Sequence, residues 1–204
     1  QLFIMKVYAK KTFGDYIKVQ KELFSTGGLV FNDKNIENYK DLIKMNLFYY
    51  GFSYTQNNEI VIYTDGERKF QELFNSIENA KDHIHMEYYI IRNDDLGNKL
   101  LNLLSKKAKE GVEVRLLYDS VGGRQISKDK IEKLKNSGVK VAVFFSSTIP
   151  FVNFKINYRN HRKIVVIDGI VGFVGGFNVG NEYMGLNNKI GYWRDTHLKI
   201  SGDA

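Results

Sequence analysis

From Asn58 onward the chain alternates two kinds of apolar pattern. Glu59–Tyr63 is a short β-rich run closed by Asp65–Gly66, and it predicts a strand. Phe70, Leu73, Phe74 and Ile77 then fall at i, i+3, i+4 and i+7, the stripe of an amphipathic helix. His83–Ile91 is strand-like. Asp94 or Asp95 can cap a helix that carries Leu96, Leu100, Leu103 and Leu104 and ends at Gly111. Val112–Tyr118 predicts a strand, Asp119–Arg124 a Gly–Gly loop, Ser127–Asn136 a helix stopped by Gly138, and Val139–Phe145 another strand. Strands alternating with helices imply βαβ units. The fold class expected is α/β: a mixed, largely parallel β-sheet flanked by helices on both faces. This domain is placed at residues 56–204. Residues 1–55 are expected to be a short helical lead-in, with a helix over Ile36–Tyr50 after the polar break Asn32–Asn35.

Composition narrows the class. The chain has 204 residues, 43% hydrophobic and 14% aromatic, which suits a globular domain with a real core and not a disordered chain. It has no cysteine, which excludes disulfides, thiolate metal sites and cysteine nucleophiles. No apolar run approaches the ~18–20 residues of a membrane span, so a soluble piece is expected. The first residue is Gln1 and not methionine, which suggests a processed or truncated chain. The formal charge of +7 favours anionic partners. It does not choose among nucleic acid, phosphorylated small molecules and an acidic membrane surface, and a lysine-rich solvated surface would give the same number.

The chemistry concentrates between residues 157 and 200. Asn160–Ile167 predicts a strand, Asp168–Gly169 a two-residue turn and Ile170–Val174 the return strand. A turn of that kind pairs Ile167 with Ile170 and carries His161 opposite Gly176. Side chains alternate faces along a strand, so His161 and Lys163 point the same way. Asn178 lies just beyond the residue facing His161. Gly175 and Gly176 leave room for backbone amides to approach a ligand, and a short helix-like stretch, Val179–Met184, would turn its positive end to the same place. These parts suit phosphoryl chemistry. Lys163 and Asn178 can hold non-bridging oxygens, and a neutral His161 can attack phosphorus. Asp168 has the wrong parity to share that face and reads as a turn and salt-bridge residue. Tyr192–Leu198 predicts a strand with Asp195 and His197 on one face. Asp195 is expected to accept the second ring proton of His161; the alternative is a pair with Arg194 or a surface lysine.

His161–x–Lys163, four residues, Asp168, six residues, then Gly175–Gly176–x–Asn178 resembles the signature of the phospholipase D superfamily. Serine usually stands where this chain has Gly176, so a hydroxyl ligand to phosphate is missing. The stretches 83–97, 111–123, 157–169 and 191–202 are similar to bacterial cardiolipin synthases, over roughly residues 56–204. That resemblance implies a phospholipase D-like fold and an amino-terminal catalytic half cut from a longer protein. Such a protein carries two motifs and upstream membrane spans in a bacterial cell membrane. It also implies metal-independent transfer between two phosphatidylglycerols, giving cardiolipin and glycerol through a phosphohistidine, with no cofactor. His161, Lys163, Asp168, Asn178 and Asp195 would be the catalytic set. Lys163, Gly175, Gly176 and Asn178 would bind substrate, and Glu87 and His197 would stand behind them. The partners implied are anionic phospholipid, a membrane surface, and either the missing second half or a second copy of the chain; nucleic acid is not expected. The rivals are a dimeric phosphodiesterase acting on nucleic acid and a non-catalytic anion-binding half.

Other features carry two readings each. His83, His85 and Glu87 share one strand face and could ligate a metal, though lining a pocket is the commoner use. Asp119 sits at a strand end, where α/β folds place ligands, or merely caps a turn. Arg124 could touch a head group or lie in solvent. Tyr158 and Asn160 flank the motif and could shape its entrance. The apolar run from Phe144 through Pro150 to Phe154 is either a lip toward acyl chains or a packing surface.

Overall fold

The structure is a computed structural model that describes residues 2–144 and 159–203. These residues form two compact units, 1–58 and 59–202. The first unit is helical. It opens with α1 (Leu2–Ser25). A 3-10 helix over Lys34–Tyr39 follows, capped by Asp33, whose side chain accepts from Asn35 N. Then come α2 (Lys40–Met45) and a π-helical turn over Asn46–Tyr50, closed by left-handed Gly51. The single helix expected over 36–50 is therefore three short helical pieces. Among the described residues no helix is long and apolar enough to cross a membrane.

Among its described residues the second unit is a seven-stranded sheet with three α-helices and one short 3-10 helix. Its elements are β1 (Glu59–Tyr63), α3 (Gly66–Asn79), β2 (His83–Tyr88), α4 (Asp95–Lys109), β3 (Glu113–Asp119), α5 (Lys128–Asn136), β4 (Lys140–Phe144), β5 (Lys163–Ile167), β6 (Val171–Gly175) and β7 (His197–Ser201). The strand order is β1-β7-β6-β5-β2-β3-β4. This is the mixed, helix-flanked α/β sheet that the pattern implies, with a smaller parallel share. Only β2–β3 and β3–β4 are parallel, because no crossover helix separates β5, β6 and β7. Those three strands run as an antiparallel meander, which β1 extends by pairing with β7.

The helices end where their caps dictate. Asp65 accepts from Arg68 N at 2.9 Å, Asp94 from Gly97 N at 3.0 Å, and Ser127 caps α5. Gly111 and Gly138, both with positive φ, follow α4 and α5. The stripes of α3, α4 and α5 close one core with Ile84, Met86, Val114, Leu116, Val165, Ile167 and Phe173. The alternate residues of β2, His83, His85 and Glu87, are only half-buried. Within this unit's described residues the helical cover expected for both faces is present on one.

The core also holds a lysine that the helical stripe does not foretell. Lys69 is fully buried on α3 and donates to Tyr88 Oη at 2.9 Å, with its Nζ 3.7 Å from the Phe70 ring centroid. Burial pushes its pKa well below the usual lysine value.

The β5–β6 hairpin differs by one residue from the simple pairing. Asp168 (φ 53) and Gly169 (φ 70) form the left-handed turn, and Ile170 N donates to the Ile167 carbonyl at 3.1 Å. The ladder beyond it, however, pairs Ile167 with Val171. Ile170 is left out of the register, like the extra residue of a bulge; its N–H closes the turn and its carbonyl accepts from Gly202 N at 3.1 Å. Continued past the ladder, this register sets Lys163 opposite Gly175 and Gly176 opposite Arg162, and not opposite His161 as the simple turn predicts.

Candidate active site

The motif residues other than Asp168 gather at one end of the sheet, at the carboxyl ends of β2, β3 and β6 and the amino ends of β5 and β7. Open α/β sheets place ligands outside the carboxyl ends of their strands. His161 precedes β5 by two residues, so no ladder bond holds it. Lys163 reaches back to it instead: Nζ lies 2.9 Å from His161 Nδ1 and donates to the His161 carbonyl at 2.7 Å. The Tyr89 ring packs on the imidazole with centroids 4.7 Å apart, and Lys163 Nζ lies 5.4 Å from the same tyrosine centroid.

Burial and the neighbouring Lys163 push the His161 pKa below 6.5, with Asp195 opposing. The ring is therefore neutral at pH 7. Burial lowers the Lys163 ammonium to about 8, again against the pull of Asp195. At pH 7 the amine is still mostly charged and donates toward Nδ1.

Asp195 stands close enough to act on both groups through space, but the hydrogen bond expected between it and His161 is not the one formed. His161 Nδ1 faces Lys163, and Asp195 Oδ1 accepts from Thr196 N at 2.7 Å. The strand predicted from Tyr192 starts only at His197, so Asp195 lies in the irregular segment before β7. Its carboxylate fills the space over Gly176, where a Cβ would meet Oδ1 at 1.9 Å. A Cβ on Gly175 would meet main chain, Thr196 O at 2.4 Å and His197 Cα at 2.5 Å. A carboxylate can swing aside; a strand backbone cannot. Gly175→Ala is thus expected to destabilise the domain by roughly 1–3 kcal/mol, read as a drop in thermal midpoint. Gly176→Ala should cost less stability and displace Asp195. Equal midpoints for Gly175→Ala and the parent would contradict this close approach.

Asn178 is buried, and most of its amide is already used. Oδ1 accepts from Ile90 N at 3.1 Å and Nδ2 donates to Tyr183 Oη at 3.1 Å. One amide hydrogen is left for a ligand, so the residue is as much a staple of the 175–179 segment as an oxygen holder. The helix expected after it is a four-residue 3-10 helix, Asn181–Met184, too short to supply a helix N-terminal field.

Asp168 lies at the far end of β5 from His161 and does not join the site. It accepts from Lys81, Asp82 and His83 backbone N–H groups at 2.8, 2.8 and 2.9 Å. Burial pushes its pKa up, but these bonds outweigh it and hold the carboxyl below its usual value. Its partners are amides and not the salt-bridge cation expected.

His197 is fully buried, with both ring nitrogens lacking a hydrogen-bond partner. Burial, with Lys69 and Lys163 nearby, pushes its pKa down to about 3. It is a neutral ring packed over Gly175.

Glu87 accepts from Asn160 Nδ2, and so stands behind the motif. His83 pairs with Asp82 at 2.7 Å and His85 with Glu113 at 3.4 Å. Among the described residues no group of three or more potential metal ligands forms. Arg124 is exposed. Tyr158 and the apolar run from residue 145 to 154 lie outside the described residues. A surface hollow of about 590 Å³ beside α3, lined by Arg68, Glu72 and Lys99 among others, contains no motif residue.

Sequence reasoning missed Tyr89. Its only signal is its place one residue past the carboxyl end of β2, a position the fold rule marks.

Together the sheet edge and the His161–Lys163 pair define a phospholipase D-like domain. The chain belongs to the cardiolipin synthase PLD-like domain family, which it matches over residues 73–197. It is 52% identical over 188 residues to a cardiolipin synthase of Oceanobacillus iheyensis, covering 92% of this chain and 39% of that protein. It is 49% identical over 188 residues to the major cardiolipin synthase of Bacillus subtilis, again 92% of this chain and 39% of the relative. The chain thus spans about two-fifths of the length of these curated relatives. Among solved structures, a phosphatidylserine synthase of Haemophilus influenzae aligns with a TM-score of 0.55 at 17% identity, covering 71% of this chain and 33% of that one. NucT from Helicobacter pylori aligns at 0.52 and 16%, covering 72% and 87%. At such identities the likeness is one of fold.

Proposed function

We propose that this chain is the amino-terminal catalytic half of a phosphatidyltransferase that converts two phosphatidylglycerols into cardiolipin and glycerol. The observation that carries the reading is the His161 imidazole held 2.9 Å from the Lys163 amine at the carboxyl end of β2 and β3, where burial and that amine favour the neutral ring. The cardiolipin synthases at 49–52% identity supply the substrate class.

In the unliganded arrangement Lys163 donates to Nδ1, which places the ring proton on Nε2. An incoming phosphodiester draws the ammonium to its non-bridging oxygens. Nδ1 is then free to carry the proton and to face Asp195, and the Nε2 lone pair is exposed for attack. A P–N bond forms as the P–O bond to glycerol breaks, and glycerol leaves with a proton supplied by the histidine of a second motif. The hydroxyl of another phosphatidylglycerol, losing its proton to that second histidine, then displaces His161 from phosphorus. Lys163, the remaining amide hydrogen of Asn178 and the backbone at Gly175–Gly176 stabilise the charge on phosphorus. No step uses a metal.

The bilayer surface supplies the lipid, and the second motif comes from the carboxy-terminal half of the full-length protein or from a second copy of this chain. The test compares the full-length protein with this chain alone on phosphatidylglycerol vesicles. The isolated chain is expected to retain less than about 1% of the turnover, since an acid–base partner contributes roughly 10²–10⁴-fold. Comparable turnover by a chain that stays monomeric would defeat the two-motif scheme. Cleavage of DNA without alcohol-dependent lipid product would replace the substrate class.

A further inference from the structure

His161 stands outside the β-ladder, yet its main chain is not left to solvent. It lies between Asn160, which side chains from two other strands tie down, and Arg162, which the Asn160 side chain holds in turn. Asp119, the last residue of β3, is fully buried. Its Oδ2 accepts from Asn160 N at 3.2 Å, while its Oδ1 accepts from Val121 N at 2.9 Å. The Asn160 side chain extends the tie in two directions. Its Nδ2 donates to Glu87 Oε1, on β2, and its Oδ1 accepts from Arg162 N at 3.3 Å. From the other side Lys163 Nζ grips the His161 carbonyl.

A buried carboxylate is costly unless its oxygens are satisfied. Both Asp119 oxygens are satisfied, and one of the two amides belongs to the residue preceding His161. A bond that only capped the turn after β3 would need Val121 alone. The second bond spans 41 residues of sequence and ends beside the nucleophile.

We infer that Asp119, Asn160 and Glu87 form a clamp that positions the His161 backbone where the ladder does not reach. They are positioning residues: none of them is assigned a contact with the phosphate. Through the clamp the carboxyl ends of β2 and β3 set the height and tilt of the ring that Tyr89 and Lys163 flank. The consequence for activity rests on the function proposed above; the clamp itself does not.

Two measurements on the full-length protein separate these layers. The first is backbone hydrogen exchange across residues 159–163. Asp119→Ala and Asn160→Ala should raise exchange there at least about tenfold while peptides of β2 and β3 keep theirs. Unchanged exchange at 159–163 in both variants would overturn the clamp, whatever the activity. The second is steady-state turnover on phosphatidylglycerol. Displacing a reacting group by about 1 Å can cost on the order of 10²-fold, so Asn160→Ala and Glu87→Ala should each lower kcat about 10–100-fold and leave KM within about threefold.

Glu87→Gln keeps an oxygen acceptor for Asn160 Nδ2 and should recover most of the loss. Asp119→Asn can serve only one of the two amides and should fall between Ala and the parent. Because Glu87 acts through Asn160, the double variant Glu87→Ala/Asn160→Ala should be no slower than Asn160→Ala alone. Multiplicative losses in the double variant, or losses confined to KM, would contradict positioning. If the parent protein makes no cardiolipin, the function proposed above fails, and the exchange measurement still decides the clamp.

Discussion

His161→Ala in the full-length protein is expected to cut cardiolipin formation by at least roughly 10³-fold without unfolding it. Loss of a nucleophile, or of a general acid in its place, removes on the order of 10²–10⁴ in rate or more. His161 is an exposed residue outside the ladder, and its ring is only partly desolvated, with Lys163 and Tyr89 as its named contacts. Its removal should therefore shift stability by no more than about 0.5 kcal/mol, the usual range at the surface. Lipid binding should persist, because Lys163 keeps its place on β5. The two chemical roles for the ring can be told apart by rapid quenching with phosphatidylglycerol labelled in the phosphate. As nucleophile, His161 carries the label to the protein, in a bond that acid breaks and base spares. As proton donor to a second motif, it leaves the label on that other half. Undiminished synthesis by the alanine variant would remove this site from the reaction altogether.

The ease of placing His161 and Lys163 from sequence has a simple origin. Lys163 opens β5 and His161 stands two residues before it, so the period of two along extended chain puts both side chains on one face even where the ladder has not begun. The helices α3, α4 and α5 were legible for the same reason, since stripe and caps are local. What depended on register was less secure. The Asp168–Gly169 turn formed, but the unpaired Ile170 moved every later partner by one, and no pattern in residues 163–175 announces that bulge. Alternation alone predicts a strand through Asp195, whereas the ladder with β1 and β6 begins only at His197. The chemistry of Asn178 alone predicts an oxygen holder. Its contacts with Ile90 and Tyr183 join residues 88 and 5 apart in sequence, and only the fold brings the first of them within reach. The same holds for the Asp119–Asn160 tie, which no spacing rule could reveal. Lys69 was hidden by its type: a lysine on a helical stripe reads as surface until Tyr88 Oη and the Phe70 ring are seen to receive it.

Lys163→Met is expected to separate function from stability in opposite directions. The side chain is almost wholly buried, and its two hydrogen bonds both go to His161. Methionine has nearly the same length, no charge and a flexible chain that fills the same space. Turnover should fall by about 10²–10³-fold, the usual loss when a preorganised donor to a developing anion is removed. Stability at pH 7 should rise by about 1–2 kcal/mol, because a desolvated ammonium no longer has to be kept in the core.

The sign of the pH dependence follows from the same group. Its folded pKa is about 8, below the ordinary 10.5. Between those values the unfolded chain holds the proton more tightly than the folded one, so this lysine makes stability rise with pH across that window. The methionine variant lacks that rise, and its advantage over the parent should shrink as pH moves from 7 toward 10. Activity of the parent should decline over the same range, as the ammonium that steadies the phosphate is lost above about pH 8. Midpoints of thermal unfolding at pH 7 and 10, set beside turnover at both, test the pair of statements. A variant less stable than the parent at pH 7, or a parent whose activity climbs steadily through pH 9, would show that Lys163 is not the strained, charged group its burial makes it.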